Sequence, residues 1–366
     1  MVIIKLRKNS STNQLICNIL NETITLFFYK FKTVSNTHTL IGNNAKPDID
    51  HILVINTYAD SNPWSNSLIN PILDMASKNN KIGVVTAHLK MLAVDNQDDL
   101  KKIKESLFQK LPSQTPKLIV MIGCASYILC DELNNQWPDV PMLLCGERDY
   151  TGPEELITTG EPITPEQRIP VSNLHEKFNL TFMYAHNYLE ENIQLMKQLI
   201  PQLENIIYIG DRTYICRQNN YDLSEVLQEK HPELKYQFLS AENISTDSLF
   251  TILNHQNQQT TGVLFTSWIR KQDFTDNLVM TTNSHRIIAT VSIPLFSFRT
   301  VGIKEEGGIV GGYVYNEKRY ISQLLTNIDD IINGKPARDI PFYQIDNGAP
   351  VFNYQSLLQR NLDPSR

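Results

Sequence analysis

The chain has 366 residues, of which 41% are hydrophobic and 20% are charged, and its formal net charge is −6 from 33 basic and 39 acidic side chains. This length is ample for a hydrophobic core and predicts two lobes rather than one ordinary domain. The sequence shows no basic stripe, which argues against a nucleic acid as its partner.

The first 49 residues are interpreted as a poorly defined leader and linker. Residues 1–8 are basic, and the apolar patches from Leu15 to Phe31 are interrupted by polar residues, so this part resembles a damaged signal or anchor. Across the chain, no run of about 18 apolar residues predicts a membrane span.

The first structural unit is predicted between Asp50 and Pro71. His51 to Asn56 is a β-branched run typical of a central parallel strand. Asn62-Pro63 then indicates an N-cap followed by proline in the first helical turn. The loop between them is expected at the carboxyl edge of the sheet, where open α/β folds bind ligands.

The next elements continue as alternating strands and helices, which predicts a parallel sheet with right-handed crossovers. The predicted order after the first strand is helix 63–77, strand 81–86, helix 98–111, strand 117–122, helix 125–136 and strand 141–145. Residues 148–176 contain four prolines and predict a long loop over one edge of the sheet.

A second α/β series starts near Leu180, and the pattern changes near the C-terminus. The predicted elements are helix 186–199, strand 205–209, helix 223–230, strand 235–239, helix 246–254, strand 262–266, helix 271–283 and strand 286–291. A glycine-rich stretch at 307–312 precedes a helix at 317–333, which Gly334 and Pro336 end. A short strand at 341–345 and a helix at 353–360 follow.

The five cysteines form no C-x-x-C pair, so no zinc site is expected. They are Cys17, Cys124, Cys130, Cys145 and Cys216. Cys124 and Cys145 both fall at predicted strand ends, which leaves two alternatives open, a disulfide between them or buried free thiols.

Three segments carry a resemblance to a known superfamily: VINTYADSNPWSNSLINPI, YIGDRTYICRQNN, and GGYVYNEKRYISQLLTNIDDIINGKPARDIPF followed by PVFNYQSLLQ. They resemble type I periplasmic binding proteins, in the branch similar to ABC-transporter substrate-binding proteins. Within it, the chain is most similar to the extracytoplasmic sensor region of Bacteroides-type, including hybrid, two-component sensor histidine kinases. The resemblance covers about residues 50–360.

The resemblance implies an α/β fold of two Rossmann-like lobes with parallel sheets and a ligand cleft between them. Lobe 1 would comprise residues 50–185 and 317–335, and lobe 2 residues 186–312 and 338–366. The chain would cross between the lobes near Tyr184–His186, Gly311–Asn316 and Pro336–Asp339.

Polar and aromatic residues at the predicted strand ends are the candidate ligand contacts. The alternative for each is structural: a capped solvated loop, a tight turn, a local Asp211–Arg212 pair or a packed histidine. The candidates are Asn56, Tyr58, Asp60, Trp64, Gly123, Cys124, Ala125, Glu147, His186, Asp211, Arg212, Tyr214, Ser267 and Trp268.

The expected function is an extracytoplasmic small-molecule sensor that signals by lobe closure to a membrane-anchored kinase module in the same polypeptide. The alternative is the solute-binding protein of an ABC transporter, and an α/β enzyme is the third hypothesis. Nucleotide-binding, hydrolase and zinc-protease motifs are missing from the sequence, so no cofactor, metal or catalytic residue is expected. A small-molecule ligand is the expected partner, and a homodimer is left open.

Overall fold

The structure, a computed structural model, describes residues 49–58, 62–78, 82–89, 91, 94–271, 278–280, 288–303, 308–344 and 348–364. The predicted leader and linker at 1–49 lies outside these residues, apart from Ile49.

The first sheet has six strands in the order β15-β7-β4-β3-β1-β2, and all of them are parallel. Its strands are β1 (Asp50–Asn56), β2 (Ile82–His88), β3 (Leu118–Ile122), β4 (Met142–Gly146), β7 (Leu180–Tyr184) and β15 (Tyr343–Gln344). The central strands β3 and β4 are buried at every position, as their continuous apolar runs predict.

Helices cover both faces of this sheet. They are α1 (Pro63–Lys78), α2 (Gln97–Lys110), α3 (Cys130–Gln136) and α5 (Val171–Lys177), with a 3₁₀ turn at Cys124–Leu129 before α3. The start of α1 has the predicted cap, since Asn62 Oδ1 accepts a hydrogen bond from the Ser65 backbone N–H at 2.9 Å.

The predicted long loop at 148–176 is wrong, because short elements fill this segment. They are β5 (Tyr150–Thr151), α4 (Glu154–Thr159), a 3₁₀ turn at Pro165–Gln167 and β6 (Ile169–Pro170), before α5. Strands β5 and β6 pair with each other and not with the main sheet. Three of the four prolines, Pro153, Pro165 and Pro170, lie at the ends of these short elements, where a missing N–H costs little.

The second sheet also has six strands, in the order β16-β14-β13-β10-β8-β9. Only β16 runs antiparallel to its neighbour. The strands are β8 (Asn205–Gly210), β9 (Lys235–Ser240), β10 (Thr261–Phe265), β13 (Leu295–Ser297), β14 (Gly311–Val314) and β16 (Ala349–Phe352), and the helices around them are α6 (Leu189–Leu199), α7 (Tyr214–Lys230), α8 (Thr246–Asn254) and α10 (Tyr354–Gln359).

Three predicted elements of the second lobe are corrected. The helix predicted at 271–283 is wrong in its described part, where β11 (Ile269–Lys271) and β12 (Leu278–Met280) form an antiparallel pair. The strand that joins the sheet is β13, and not residues 286–291, of which residues 288–291 form helix and turn. Helix α7 begins at Tyr214 rather than Leu223, because polar residues on its first turns contact the other lobe.

Helix α9 (Glu317–Ile332) follows the second sheet in sequence but packs on the first lobe. Its buried face, including Tyr320, Leu324 and Ile328, shares a core cluster with Leu68 of α1. Strand β15 then pairs with β7 of the first sheet. The third crossing therefore follows Gln344, and not Pro336–Asp339 as expected, because the short strand completes the first sheet before the chain leaves it.

The four described cysteines are free and buried, so no Cys124–Cys145 disulfide forms. Cys145 faces the core that contains α1 and α9, whereas Cys124 belongs to the core on the opposite face of the same sheet. The first sheet therefore lies between the two thiols.

Candidate functional site

The carboxyl ends of β1, β3 and β4 bring three chain segments together at one edge of the first sheet. Thr57 and Tyr58 follow β1, Gly123 and Cys124 follow β3, and Glu147 and Arg148 follow β4. Parallel neighbouring strands end side by side, so these polar segments converge as expected from the sequence.

Asn56 shapes the first of these loops. Its side chain is fully buried, with Nδ2 donating to Ser65 Oγ at 3.1 Å and Oδ1 accepting the Tyr58 backbone N–H at 3.1 Å. The amide therefore ties the end of β1 to α1 and fixes where the Tyr58 side chain starts.

The Tyr58 hydroxyl donates to Glu147 Oε1 at 2.5 Å. Burial, followed by the neighbouring Glu147 carboxylate, raises the pKa of Tyr58 well above its ordinary value. The second carboxylate oxygen, Oε2, is buried without a hydrogen-bond partner among the described residues. Such an orphaned acceptor is costly unless water or another molecule donates to it.

Gly123 makes the turn that presents Cys124. Its φ of 92° lies in the region that favours glycine, and an added Cβ would collide with Thr57 Oγ1 and lie 2.8 Å from the Tyr58 ring. Cys124 is buried beside the same residues, and burial, then Glu147, raises the pKa of its thiol. A protonated thiol is a poor nucleophile.

The second lobe contributes the start of α7. Asp211 is fully buried, and its Oδ1 accepts from the Thr213 backbone N–H at 2.9 Å and from Thr213 Oγ1 at 2.6 Å. Its Oδ2 accepts from Ser267 Oγ at 2.6 Å. Asp211 and Ser267, both candidate ligand residues, thus use these contacts to hold the helix start in place.

Arg212 reaches from the second lobe to the first rather than pairing with Asp211. Its Nη2 donates to the Val94 carbonyl at 2.8 Å, and Nη1 forms an ion pair with Asp95. The local Asp211–Arg212 pair considered from the sequence is therefore replaced by a contact between lobes.

A cavity lies between these segments of the two lobes, and we call it the interlobe cavity. Its volume is about 40 Å³, room for about three water molecules. Its lining comprises Thr57, Tyr58, Met91, Val94, Cys124, Ala125, Ile157 and Thr158 from the first lobe, and Arg212, Thr213, Tyr214 and Ile215 from the second.

Unpartnered buried polar atoms occur on the facing surfaces of the two lobes. Tyr214 lines the interlobe cavity with 7% of its surface exposed, and its hydroxyl has no partner among the described residues. Buried atoms without partners also occur on Glu147, Arg148, Tyr150, Thr151 and Arg168 of the first lobe. Native proteins leave few such atoms, and waters or ligands usually satisfy them.

A polar cluster beside the cavity joins the lobes. Arg148 Nη2 lies 2.9 Å from Asp222 Oδ2 and 2.5 Å from Asn219 Oδ1, both on α7. Arg168 also pairs with Asp222, at 3.3 Å, and Gln218 accepts the Ile163 backbone N–H at 2.8 Å. We call these five side chains the interlobe clamp. Burial, the largest single influence, lowers the pKa of Arg148, but Asp222 and weaker neighbouring groups together outweigh it, so the pKa is raised above its ordinary value.

The sequence did not predict the interlobe clamp. Arg148 and Asp222 are 74 positions apart, and ion pairs between distant segments have no local pattern. One signal was available: Gln218, Asn219 and Asp222 are spaced so that helical periodicity places three polar side chains on one face of α7.

Two other candidates, Trp64 and His186, lie where the chain crosses between lobes. Trp64 Nε1 donates to Tyr315 Oη at 2.7 Å, and the Arg299 guanidinium lies 5.6 Å from the Trp64 ring centroid. Arg299 also donates to the backbone carbonyls of Ala185 and His186. The aromatic surface expected to contact a ligand is therefore covered by Arg299 of the protein itself.

Trp268 lies in the core of the second lobe, and not in the interlobe cavity. It is 5% exposed, it packs in a cluster with Leu249 and Ile288, and its Nε1 donates to Thr246 Oγ1 at 3.1 Å. Asp60 lies outside the described residues.

Two features are absent from the described residues. No helix there is both long enough and apolar enough to cross a membrane. Within the same ranges, no group of three or more His, Cys, Asp or Glu side chains is arranged to hold a metal ion.

No family model and no curated protein matches the chain. Among solved structures it resembles the ABC domain from Streptococcus pneumonia in complex with L-Trp, with TM-score 0.56 and 12% identity over 86% of this chain and 96% of that one. It also resembles a conserved domain protein from Vibrio cholerae, with TM-score 0.55, 10% identity, and coverage of 86% and 95%.

A third similar structure is an ABC transporter periplasmic solute binding protein from Actinobacillus succinogenes with bound D-allose, with TM-score 0.53, 11% identity, and coverage of 84% and 99%. At these identities the likeness shows the fold alone. That fold is the two-lobed α/β architecture of type I periplasmic binding proteins, which confirms the predicted fold class. Two similar structures, from Agrobacterium radiobacter and Actinobacillus succinogenes, are named as solute binding proteins.

Proposed function

We propose that the chain is a solute-binding protein of an ABC transporter, and that it binds a small molecule between its lobes in the interlobe cavity. One observation carries this proposal. The cavity is lined by residues of both lobes, Tyr214 among them, and the buried Tyr214 hydroxyl has no hydrogen-bond partner among the described residues.

The fold supports a mechanism of lobe closure. A ligand that touches Thr57 and Thr158 on one lobe and Thr213 on the other makes all of its contacts only when the lobes are together. Binding then favours the closed arrangement through this difference in affinity. The cavity of about 40 Å³ is smaller than a sugar or an amino acid, so the lobes must part to admit one and then close around it with a wider gap than in this arrangement.

The interlobe clamp contributes to the same equilibrium without ligand. Its two arginines and Asp222 connect the lobes directly. The ligand therefore adds to a closure that the protein already favours, and weakening the clamp is expected to lower the apparent affinity.

We also propose that the protein is extracytoplasmic and that it binds its ligand without catalysis. Similar structures named as periplasmic solute-binding proteins support an extracytoplasmic location. The raised thiol pKa of Cys124 argues against nucleophilic catalysis beside Tyr58 and Glu147. The sensor hypothesis, with its kinase module and homodimer, uses the same cleft, but the similar transport proteins favour the solute-binding role.

A thermal-shift screen of amino acids, sugars and polyols, followed by calorimetry, tests the proposal. A ligand at about 100 times its dissociation constant is expected to stabilise the protein by about 2.7 kcal/mol. Tyr214→Phe should weaken that ligand, whereas Tyr236→Phe, which removes a hydroxyl bonded to Asn220 away from the cavity, should not. Equal binding by both variants and the wild type would refute the site.

A further inference from the structure

The threonine hydroxyls in the interlobe cavity have already donated their hydrogens to the protein. Thr57 Oγ1 donates to the Ile122 carbonyl at 3.1 Å, and Thr158 Oγ1 donates to the Glu154 carbonyl at 2.7 Å. Thr213 Oγ1 donates to the Asp211 carboxylate at 2.6 Å. A hydroxyl has one hydrogen, so only oxygen lone pairs remain for a ligand at these three positions.

The other polar side chains of the cavity are used in a similar way. The Tyr58 hydroxyl donates to Glu147, and the two terminal nitrogens of Arg212 contact Asp95 and the Val94 carbonyl. Among the described lining residues, the Tyr214 hydroxyl is the side-chain O–H without a hydrogen-bond partner, and because it is buried, a ligand reaches it only after the lobes part. The cavity thus presents mainly acceptors and no unpaired guanidinium.

Two carboxylates, those of Glu147 and Asp211, lie next to the residues that line the cavity. The Glu147 carboxylate lies behind Tyr58, and its Oε2 has no partner among the described residues. The Asp211 carboxylate accepts the Thr213 backbone N–H at the start of α7, where it offsets the positive end of the helix. A ligand carboxylate here would face lone pairs and two anionic groups.

We propose that the interlobe cavity selects a neutral, hydroxyl-rich ligand, of the polyol or sugar class, over a carboxylate. This inference rests on the proposed binding function. A ligand hydroxyl donates to the threonine oxygens, and it also accepts from Tyr214 or from the peptide N–H groups of the first turn of α7. A carboxylate only accepts, so it leaves the threonine oxygens without donors.

Matched pairs of neutral and acidic ligands test the class. Calorimetry on the full chain would compare erythritol with erythronate, D-arabinose with D-arabinonate, and D-allose with D-allonate, and would include L-Trp. We expect at least one neutral compound to bind, with its acid at least tenfold weaker. Tighter binding of an acid or of L-Trp would overturn the ligand class but leave the binding function standing. Failure of every compound would count against both.

A variant pair tests the accepting role of the threonines. Thr158→Val keeps the shape but removes the acceptor, and it should weaken the neutral ligand by about 2- to 12-fold, the range for one hydrogen bond. Thr251→Val is the matched control, since Thr251 makes the same bond to a carbonyl four residues earlier, on exposed α8. Thr158→Ser should restore binding. Unchanged affinity in Thr158→Val would overturn the assignment.

Discussion

Arg148 and Asp222 lie in different lobes and form an ion pair, with 2.9 Å between Nη2 and Oδ2. Arg148 is the second residue after the end of β4, and Asp222 lies in the middle of α7. The Arg148 side chain is 5% exposed. Its buried positive charge is therefore stabilised by Asp222 in place of water. The pair therefore links the position of the second lobe to the carboxyl edge of the first sheet.

Replacing Asp222 is expected to destabilise the protein and loosen the lobes. Asp222→Asn leaves the Arg148 guanidinium buried without an anion, and the expected loss is about 3 kcal/mol in the free energy of unfolding. Denaturant titration measures the loss, and small-angle scattering should show a larger radius of gyration. Asp330→Asn is the control, because Asp330 pairs with Lys335 at an exposed site. Equal effects in the two variants would contradict the role of the clamp.

Gly123→Ala is expected to cost more than the backbone conformation alone requires. Gly334 provides the comparison, since it also has positive φ, at 101°, but nothing lies within 4 Å of an added Cβ. Gly334→Ala should cost about 1 kcal/mol, and Gly123→Ala clearly more, because its Cβ displaces Thr57 and Tyr58. Only Gly123→Ala should also reduce ligand binding. Similar losses of stability in both would show that the contact with Thr57 is unimportant.

Cys124 should report ligand occupancy by its rate of alkylation. Its thiol lines the interlobe cavity, whereas Cys145 and Cys216 are buried in cores. Because burial raises the pKa of Cys124, we expect slow labelling at pH 8, faster labelling in Asp222→Asn, and protection by ligand. Peptide mass spectrometry gives the rate at each cysteine, with Cys216 as the internal reference. A ligand that stabilises the protein without protecting Cys124 would place the binding site elsewhere.

His51 predicts a loss of stability in mild acid. Burial lowers its pKa in the folded protein, with Asp50 opposing the shift, and its Nε2 has no partner among the described residues. The unfolded chain binds a proton with a pKa near 6.5, so the contribution is present above that pH and is lost as the pH falls towards the lower folded value.

Urea titrations at pH 7.5 and 5.5 measure this effect. The decrease in the free energy of unfolding between the two pH values should be smaller in His51→Gln than in the wild type. His255→Gln, at an exposed helix end, should behave like the wild type. An identical decrease in all three proteins would rule out His51 as the source.

The sequence predicted the first sheet well and the site in part, for physical reasons. Strand β3 is a continuous apolar run followed by glycine, a pattern that leaves few alternatives to a buried strand. Residues 271–283 also have apolar spacing that suits a helix, yet β11 pairs with β12, since pairing between strands overrides local propensity.

Within the site, convergence at strand ends followed from topology, and it correctly brought Tyr58 near Cys124 and Glu147. Topology did not predict which of these side chains already form hydrogen bonds within the protein and which could still bond to a ligand. Asp211 and Ser267 occupy strand ends as expected, but they bond to each other. Hydrogen-bond partners depend on side-chain geometry between segments distant in sequence, which a single sequence does not encode locally.

Helix α9 has a consequence for how the chain is made. The core around Leu68 stays open until residue 332 has been synthesised, because α9 supplies one of its walls. About 150 residues separate the end of β7 from the end of α9, so at about 5–20 residues per second the ribosome needs about 7–30 s to supply it. During that interval the first half of the chain exposes apolar surface, which gives chaperones or an export machinery time to act before the fold closes.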